Sequence, residues 1–110
     1  MDEQQLVISW EVSGDDVTVH IAGEVDLANL AAVVAAGREA LAASTDQRLE
    51  LDLREVTFMD SAGVGALVNL MKSARTAHRS TRVWVRAPSV VRTLSMMGLM
   101  KAFDVQVDSD

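Results

Sequence analysis

The feature that most constrains this chain is a handover from strand to helix. An apolar, strand-like run ending in Val56-Thr57-Phe58-Met59 passes straight into Asp60-Ser61-Ala62-Gly63-Val64-Gly65. From residue 64 to 77 apolar residues then recur at helical spacing. The first N–H groups of such a helix have no intrahelical partners, and the positive end of its dipole is exposed. That junction can hold an anion such as a phosphate. Ser61 is therefore open to three roles: helix cap, nucleophile or phosphate acceptor.

The same alternation runs through the rest of the chain. Leu6, Ile8, Trp10 and Val12 alternate with Val7, Ser9 and Glu11, as in a half-buried strand. The turn cluster Ser13-Gly14-Asp15-Asp16 leads to Val17, Val19 and Ile21, a second strand pairing with the first as an antiparallel hairpin. His20 falls on the face opposite these aliphatics and reads as a solvated strand residue. Ala22-Gly23-Glu24-Val25-Asp26 is expected to leave the sheet, with Asp26 as an N-cap. Leu30, Val33, Val34, Gly37 and Leu41 then form one helix face. Gly37 sits inside that stripe, which a close approach of the helix to the sheet would explain.

Leu49, Leu51 and Leu53 mark a third strand leading into residues 54–59. The helix after it carries Val64, Leu67, Val68, Met71 and Ala74 on one side. Val83-Trp84-Val85 is a short fourth strand, and Pro88 suits the first turn of a third helix. Val91, Leu94 and Met97 are spaced for the buried side of that helix, with Gly98 as its C′ residue and Leu99 as the apolar contact that follows. Phe103, Val105 and Val107 support a last strand. The order is β-β-α-β-α-β-α-β. This predicts an α/β fold with a mixed sheet, an initial hairpin and right-handed β-α-β crossovers.

At 110 residues the chain is read as a single domain, 1–110, with an ordered core of about 5–107 and frayed ends at 1–4 and 108–110. There are no cysteines, which excludes disulfides and thiolate metal sites. His20 and His78 lie in no ligand-like cluster, so no metal and no cofactor is expected. No apolar run approaches the ~18–20 residues of a membrane span and no secretory leader is read, so the expected location is the cytoplasm. A net charge of −6 argues against direct binding of nucleic acid. Residues 1–60 hold 13 acidic and 3 basic residues, and residues 61–110 hold 3 acidic and 7 basic. That asymmetry reads either as solvated faces or as a bipolar surface that orients a charged partner.

No complete catalytic apparatus is visible. The nucleophile elbow G-x-S-x-G is absent, because Met59 stands at its first glycine. Nothing in the pattern aims His20 or His78 at Ser61. Gly63-Val64-Gly65 lacks the third glycine of a dinucleotide fingerprint, where Val68 stands. The carboxylates Glu24 and Asp26 are explained by cap and loop roles. The expected set of catalytic residues is empty.

Residues 51–67, Leu-Asp-Leu-Arg-Glu-Val-Thr-Phe-Met-Asp-Ser-Ala-Gly-Val-Gly-Ala-Leu, resemble the signature of the STAS domain, named for sulfate transporters and anti-sigma factor antagonists. Gly23-Glu24-Val25-Asp26 resembles the family's other short motif. Pro88-Ser89-Val90-Val91 with Leu94, Gly98 and Leu99 resembles its third-helix pattern. Free-standing members of this length resemble bacterial anti-sigma factor antagonists. The resemblance implies that Ser61 is phosphorylated by an anti-sigma factor that is also a serine kinase. It further implies that the unphosphorylated form binds this kinase and frees a sigma factor, and that a phosphoserine phosphatase resets the switch. The implied partner-binding residues are Gly23, Glu24, Asp26, Asp60, Ser61, Ala62, Gly63, Val64 and Gly65. The alternative implied by the family is a structural subunit of a lipid-transport complex.

Overall fold

The computed structural model describes residues 6–45 and 47–109. Eight elements follow one another: β1 (Val7–Ser13), β2 (Asp16–Val25), α1 (Leu30–Ala42), β3 (Arg48–Met59), α2 (Ser61–Thr76), β4 (Thr81–Val85), α3 (Pro88–Met96) and β5 (Val105–Val107). The predicted order is the observed one. The strands form a five-stranded sheet in the order β1-β2-β3-β4-β5. β1 pairs antiparallel with β2, and the other neighbours are parallel. Every parallel step moves the same way across the sheet, so right-handed crossovers place all three helices on one face.

That face holds the core. Val17, Val19 and Ile21 of β2 meet Leu49, Leu51 and Leu53 of β3 and Val83 and Val85 of β4, all buried. Helix α2 covers them with Val64, Leu67, Leu70, Met71 and Ala74. Gly37 of α1 owes its place to α2 rather than to the sheet. A Cβ there would lie 2.5 Å from Leu70 Cδ2.

Several local expectations are corrected. Residues 22–25 do not leave the sheet: β2 runs on to Val25, paired with Met59 at the end of β3. Register shifts between His20 and Ala22 and between Gly23 and Glu24 let β3 take up extra residues. Gly23 supports this bend with a φ of 110°. On α3 the buried residues are Val90 and Leu94, whereas Met97 is 47% exposed. The helix ends at Met96, so the periodicity that pointed Met97 inward stops one residue early. Gly98 is the left-handed C′ residue as expected. Its N–H reaches the Ser95 carbonyl and the Leu99 N–H reaches the Leu94 carbonyl, a Schellman closure. Phe103 is buried in the turn before β5 rather than in the strand. Asp108 is no frayed end, because its carboxylate pairs with Arg54 and Arg86. Residues 1–4 and Asp110 lie outside the described residues.

Candidate functional site

Strands β2, β3 and β4 point the same way, so the connections to α1, α2 and α3 gather at one end of the sheet. β2 and β3 end together, at Val25 and Met59. The Asp60 N–H donates to the Val25 carbonyl at 3.1 Å, tying the two exits to each other. Residues 23–26 and the start of α2 are therefore neighbours. Ser89 at the start of α3 joins the same end through its hydroxyl, which donates to the Thr57 carbonyl at 2.9 Å.

Asp60, not Ser61, caps α2. Its backbone is extended, and its Oδ1 accepts the Gly63 N–H at 2.8 Å. Its Oδ2 accepts the Leu27 N–H at 3.2 Å from the turn before α1. Both carboxylate oxygens are thus engaged by backbone donors. Ser61 is the first residue of the helix and is exposed. Among the described residues its hydroxyl has no hydrogen-bond partner. Because the aspartate does the capping, the neighbouring serine hydroxyl is not drawn into the helix start.

The glycines that follow play different parts. A Cβ on Gly63 would sit 2.9 Å from Val25 Cγ1 and 3.2 Å from the Val25 carbonyl oxygen, so this glycine lets the helix start press against the end of β2. A Cβ on Gly65 would meet nothing within 4 Å. Gly65 opens instead onto a groove between α1 and α2, lined among others by Leu30, Val34, Ala62 and Ala66. Val64 points into the core and is fully buried.

Asp26 is not the cap of α1. Its Oδ1 accepts the Ala28 N–H at 3.0 Å, and its carbonyl accepts the N–H groups of Asn29 and Leu30, building a turn before the helix. Asn29 stands at the N-cap position without a side-chain capping bond. It folds back instead: Oδ1 accepts the Asp26 N–H and Nδ2 donates to the Glu24 carbonyl, each at 2.9 Å. The sequence reading gave no role to Asn29 or Leu27. The spacing of Asp26 and Asn29 across four residues was the available signal, an Asx-type turn.

Neither histidine approaches Ser61. His20 lies on the open face of the sheet, its Nδ1 3.0 Å from Asp52 Oδ2. His78 follows the far end of α2, a helix of 16 residues and so roughly 24 Å long. Its φ of 62° closes that helix. On the open face, hydrogen bonds from Arg54 hold the Asp52 carboxyl down at about 2, with the His20 contact adding to the effect. Two ion pairs on this face join the basic second half of the sequence to the acidic first half: Arg82 of β4 pairs with Glu50 of β3, and Arg86 with Glu55. Among the described residues no group of three or more acidic or histidine side chains is placed to hold a metal. No helix among them is long and apolar enough to cross a membrane.

The domain is thus α/β, with a helix at the third strand's exit that Asp60 caps and that begins with an exposed Ser61. The family model described as "Mlab, STAS domain" matches residues 8–106, and the chain belongs to the STAS family. It resembles the family's anti-sigma factor antagonists. It is 28% identical over 98 residues to the anti-sigma-B factor antagonist of Bacillus subtilis (strain 168), covering 87% of this chain and 86% of that protein. Its fold matches the crystal structure of an anti-sigma factor antagonist from Mycobacterium paratuberculosis with a TM-score of 0.84, at 23% identity over 94% of this chain and 87% of that one. It also matches the anti-sigma factor antagonist SpoIIAA in its unphosphorylated form, with a TM-score of 0.76 at 20% identity over 94% of this chain and 90% of that one. SpoIIAA in the phosphorylated form, described as a Bacillus cell fate determinant, matches with a TM-score of 0.66 at 20% identity, covering 94% and 93%.

Proposed function

We propose that this chain is a cytoplasmic anti-sigma factor antagonist switched by phosphorylation of Ser61. In its unmodified form it binds an anti-sigma factor that is also a serine kinase, and so frees a sigma factor for transcription. The kinase transfers the γ-phosphoryl group of ATP to the Ser61 hydroxyl, ending the interaction, and a phosphoserine phosphatase restores it. The chain supplies no catalytic group of its own. The observation that carries this reading is the division of labour between Asp60 and Ser61. The aspartate satisfies the helix start, so the serine hydroxyl is exposed and reachable by a kinase. The names of its relatives and the existence of a phosphorylated form of SpoIIAA support the same reading.

In this proposal the partner-facing surface comprises Glu24, Asp26, Asp60, Ser61, Ala62 and Gly65. Gly23, Gly63 and Val64 shape it from beneath, since Gly63 and Val64 are buried and Gly23 bends the strand. Phosphate at Ser61 adds about −1.5 to −2 charges beside Asp60. The helix dipole favours that charge by roughly 0.3–1 kcal/mol and the neighbouring carboxylate opposes it, so folding changes little. An interface that fits a neutral hydroxyl is penalised by several kcal/mol. The test is incubation with purified candidate anti-sigma kinases of the source genome and ATP, followed by intact-mass measurement and peptide mapping. One phosphoryl group on Ser61 is expected. Stoichiometric phosphate elsewhere with Ser61 untouched defeats the assignment. Copurification with a transporter ATPase, irrespective of modification, would favour the structural-subunit alternative.

A further inference from the structure

Leu27 is 74% exposed, yet the turn that carries it is tightly held. Asp26, Ala28 and Asn29 are locked by the four hydrogen bonds among Glu24, Asp26, Ala28 and Asn29 described above. A fifth bond comes from outside the turn, where Asp60 Oδ2 accepts the Leu27 N–H at 3.2 Å. A singly exposed leucine on its own calls for no explanation. A leucine whose backbone is fixed both within its turn and by the residue preceding an exposed serine is different. Its ordering cost is met on folding rather than on binding, which is what preorganised contacts gain.

We propose that Leu27 is an apolar contact for the anti-sigma factor, and that Asp60 is the positioning residue that holds it beside Ser61. This rests on the function proposed above and extends it to a second contact on another element. It also gives phosphorylation a second lever. A phosphate on Ser61 repels the Asp60 carboxylate and competes with it for N–H groups at the helix start. The Leu27 N–H bond is the weaker arm of Asp60 by distance, 3.2 Å against 2.8 Å for Gly63. The modification that places charge in the interface thereby also loosens Leu27. Glu24 at the end of β2 and Asp26 in the turn complete a mixed apolar and acidic contact.

The test has an arm that needs no partner. Amide hydrogen exchange of Leu27 is measured by NMR in the free wild-type protein and in Asp60→Asn. Asparagine keeps one acceptor oxygen in place of two, and it is a good helix cap. Exchange at Leu27 is expected to rise about tenfold or more, with residues 63–70 little changed. The binding arm titrates purified candidate anti-sigma factors with wild type, Leu27→Ala, Asp60→Asn and the double variant. Leu27→Ala should bind about tenfold more weakly or worse at an unchanged melting temperature. The loss in the double variant should be clearly smaller than the product of the two single losses, because part of the effect of Asp60 runs through Leu27. Unchanged Leu27 exchange in Asp60→Asn overturns the positioning role. Wild-type affinity in Leu27→Ala overturns the contact. A wild type that binds no anti-sigma factor, while Leu27 exchange still responds, refutes the functional reading and its contact role, and upholds the brace alone.

Discussion

Helices α1 and α2 start at the same end of the sheet, each after a strand of the same direction, and their starts are built differently. At α2 the chain enters the helix at once, and Asp60 supplies the cap that lets it do so. At α1 the residue in the N-cap position makes no capping bond, and a tight turn precedes the helix. The first start exposes a hydroxyl beside a satisfied carboxylate. The second exposes a leucine on a locked turn. Asp60 connects them. Local capping therefore does more here than end a helix: it decides which polar group stays available.

The contrast is sharpest at Gly63, the tightest point of the α2 start. Gly63→Ala forces a Cβ against Val25 and its carbonyl, and should destabilise by about 1–3 kcal/mol in urea unfolding. Asp60→Ala removes the cap and the bond to Leu27, and should cost about 0.5–2 kcal/mol. A loss far below that range would mean the two starts are not distinguished by capping.

A carboxylate away from both starts provides a pH control. Asp52 titrates at about 2 in the fold, below the ordinary carboxylate value of about 3.9, so it stabilises the protein above that ordinary value. That contribution is lost as pH falls from about 4 to about 2. Asp52→Asn should flatten the melting temperature against pH across this window. An unchanged slope would remove Asp52 as its source.

Smaller effects separate the remaining residues. Gly65→Ala should stabilise by up to about 1 kcal/mol, since nothing in the fold opposes a Cβ there. Ser61→Ala should stay within about 0.5 kcal/mol of wild type, because the hydroxyl is not the cap. Thermal melts of this pair against Gly63→Ala test whether residues only two positions apart divide into fold and surface.

The order of elements was legible because strand alternation and helical spacing are direct consequences of burying one face. Leu49, Leu51 and Leu53 show it best, all fully buried. The alternation broke beyond Leu53, where Val56 and Met59 are the buried residues, because the register shifts against β2 add residues that no periodic pattern encodes. The Asp60-Ser61 junction was legible as a handover from strand to helix, but the sharing of roles within it was not. Either side chain can cap a helix, and only the geometry assigns the cap to Asp60. Asn29 and Leu27 escaped notice because side chain to backbone bonds in a turn leave no hydrophobic signature. Met97 was misplaced by extending a helical period past the helix end.

The central claim is that a free hydroxyl at residue 61 is what the partner recognises and phosphate is what it rejects. Isothermal titration of one anti-sigma factor with unmodified and Ser61-phosphorylated protein tests it most directly. Affinity should fall at least about tenfold on phosphorylation, equivalent to about 1.4 kcal/mol, while the amide spectrum changes only around residues 23–29 and 60–67. Equal affinities for the two forms, or shifts spread through the β1–β2 hairpin and α3, would contradict it.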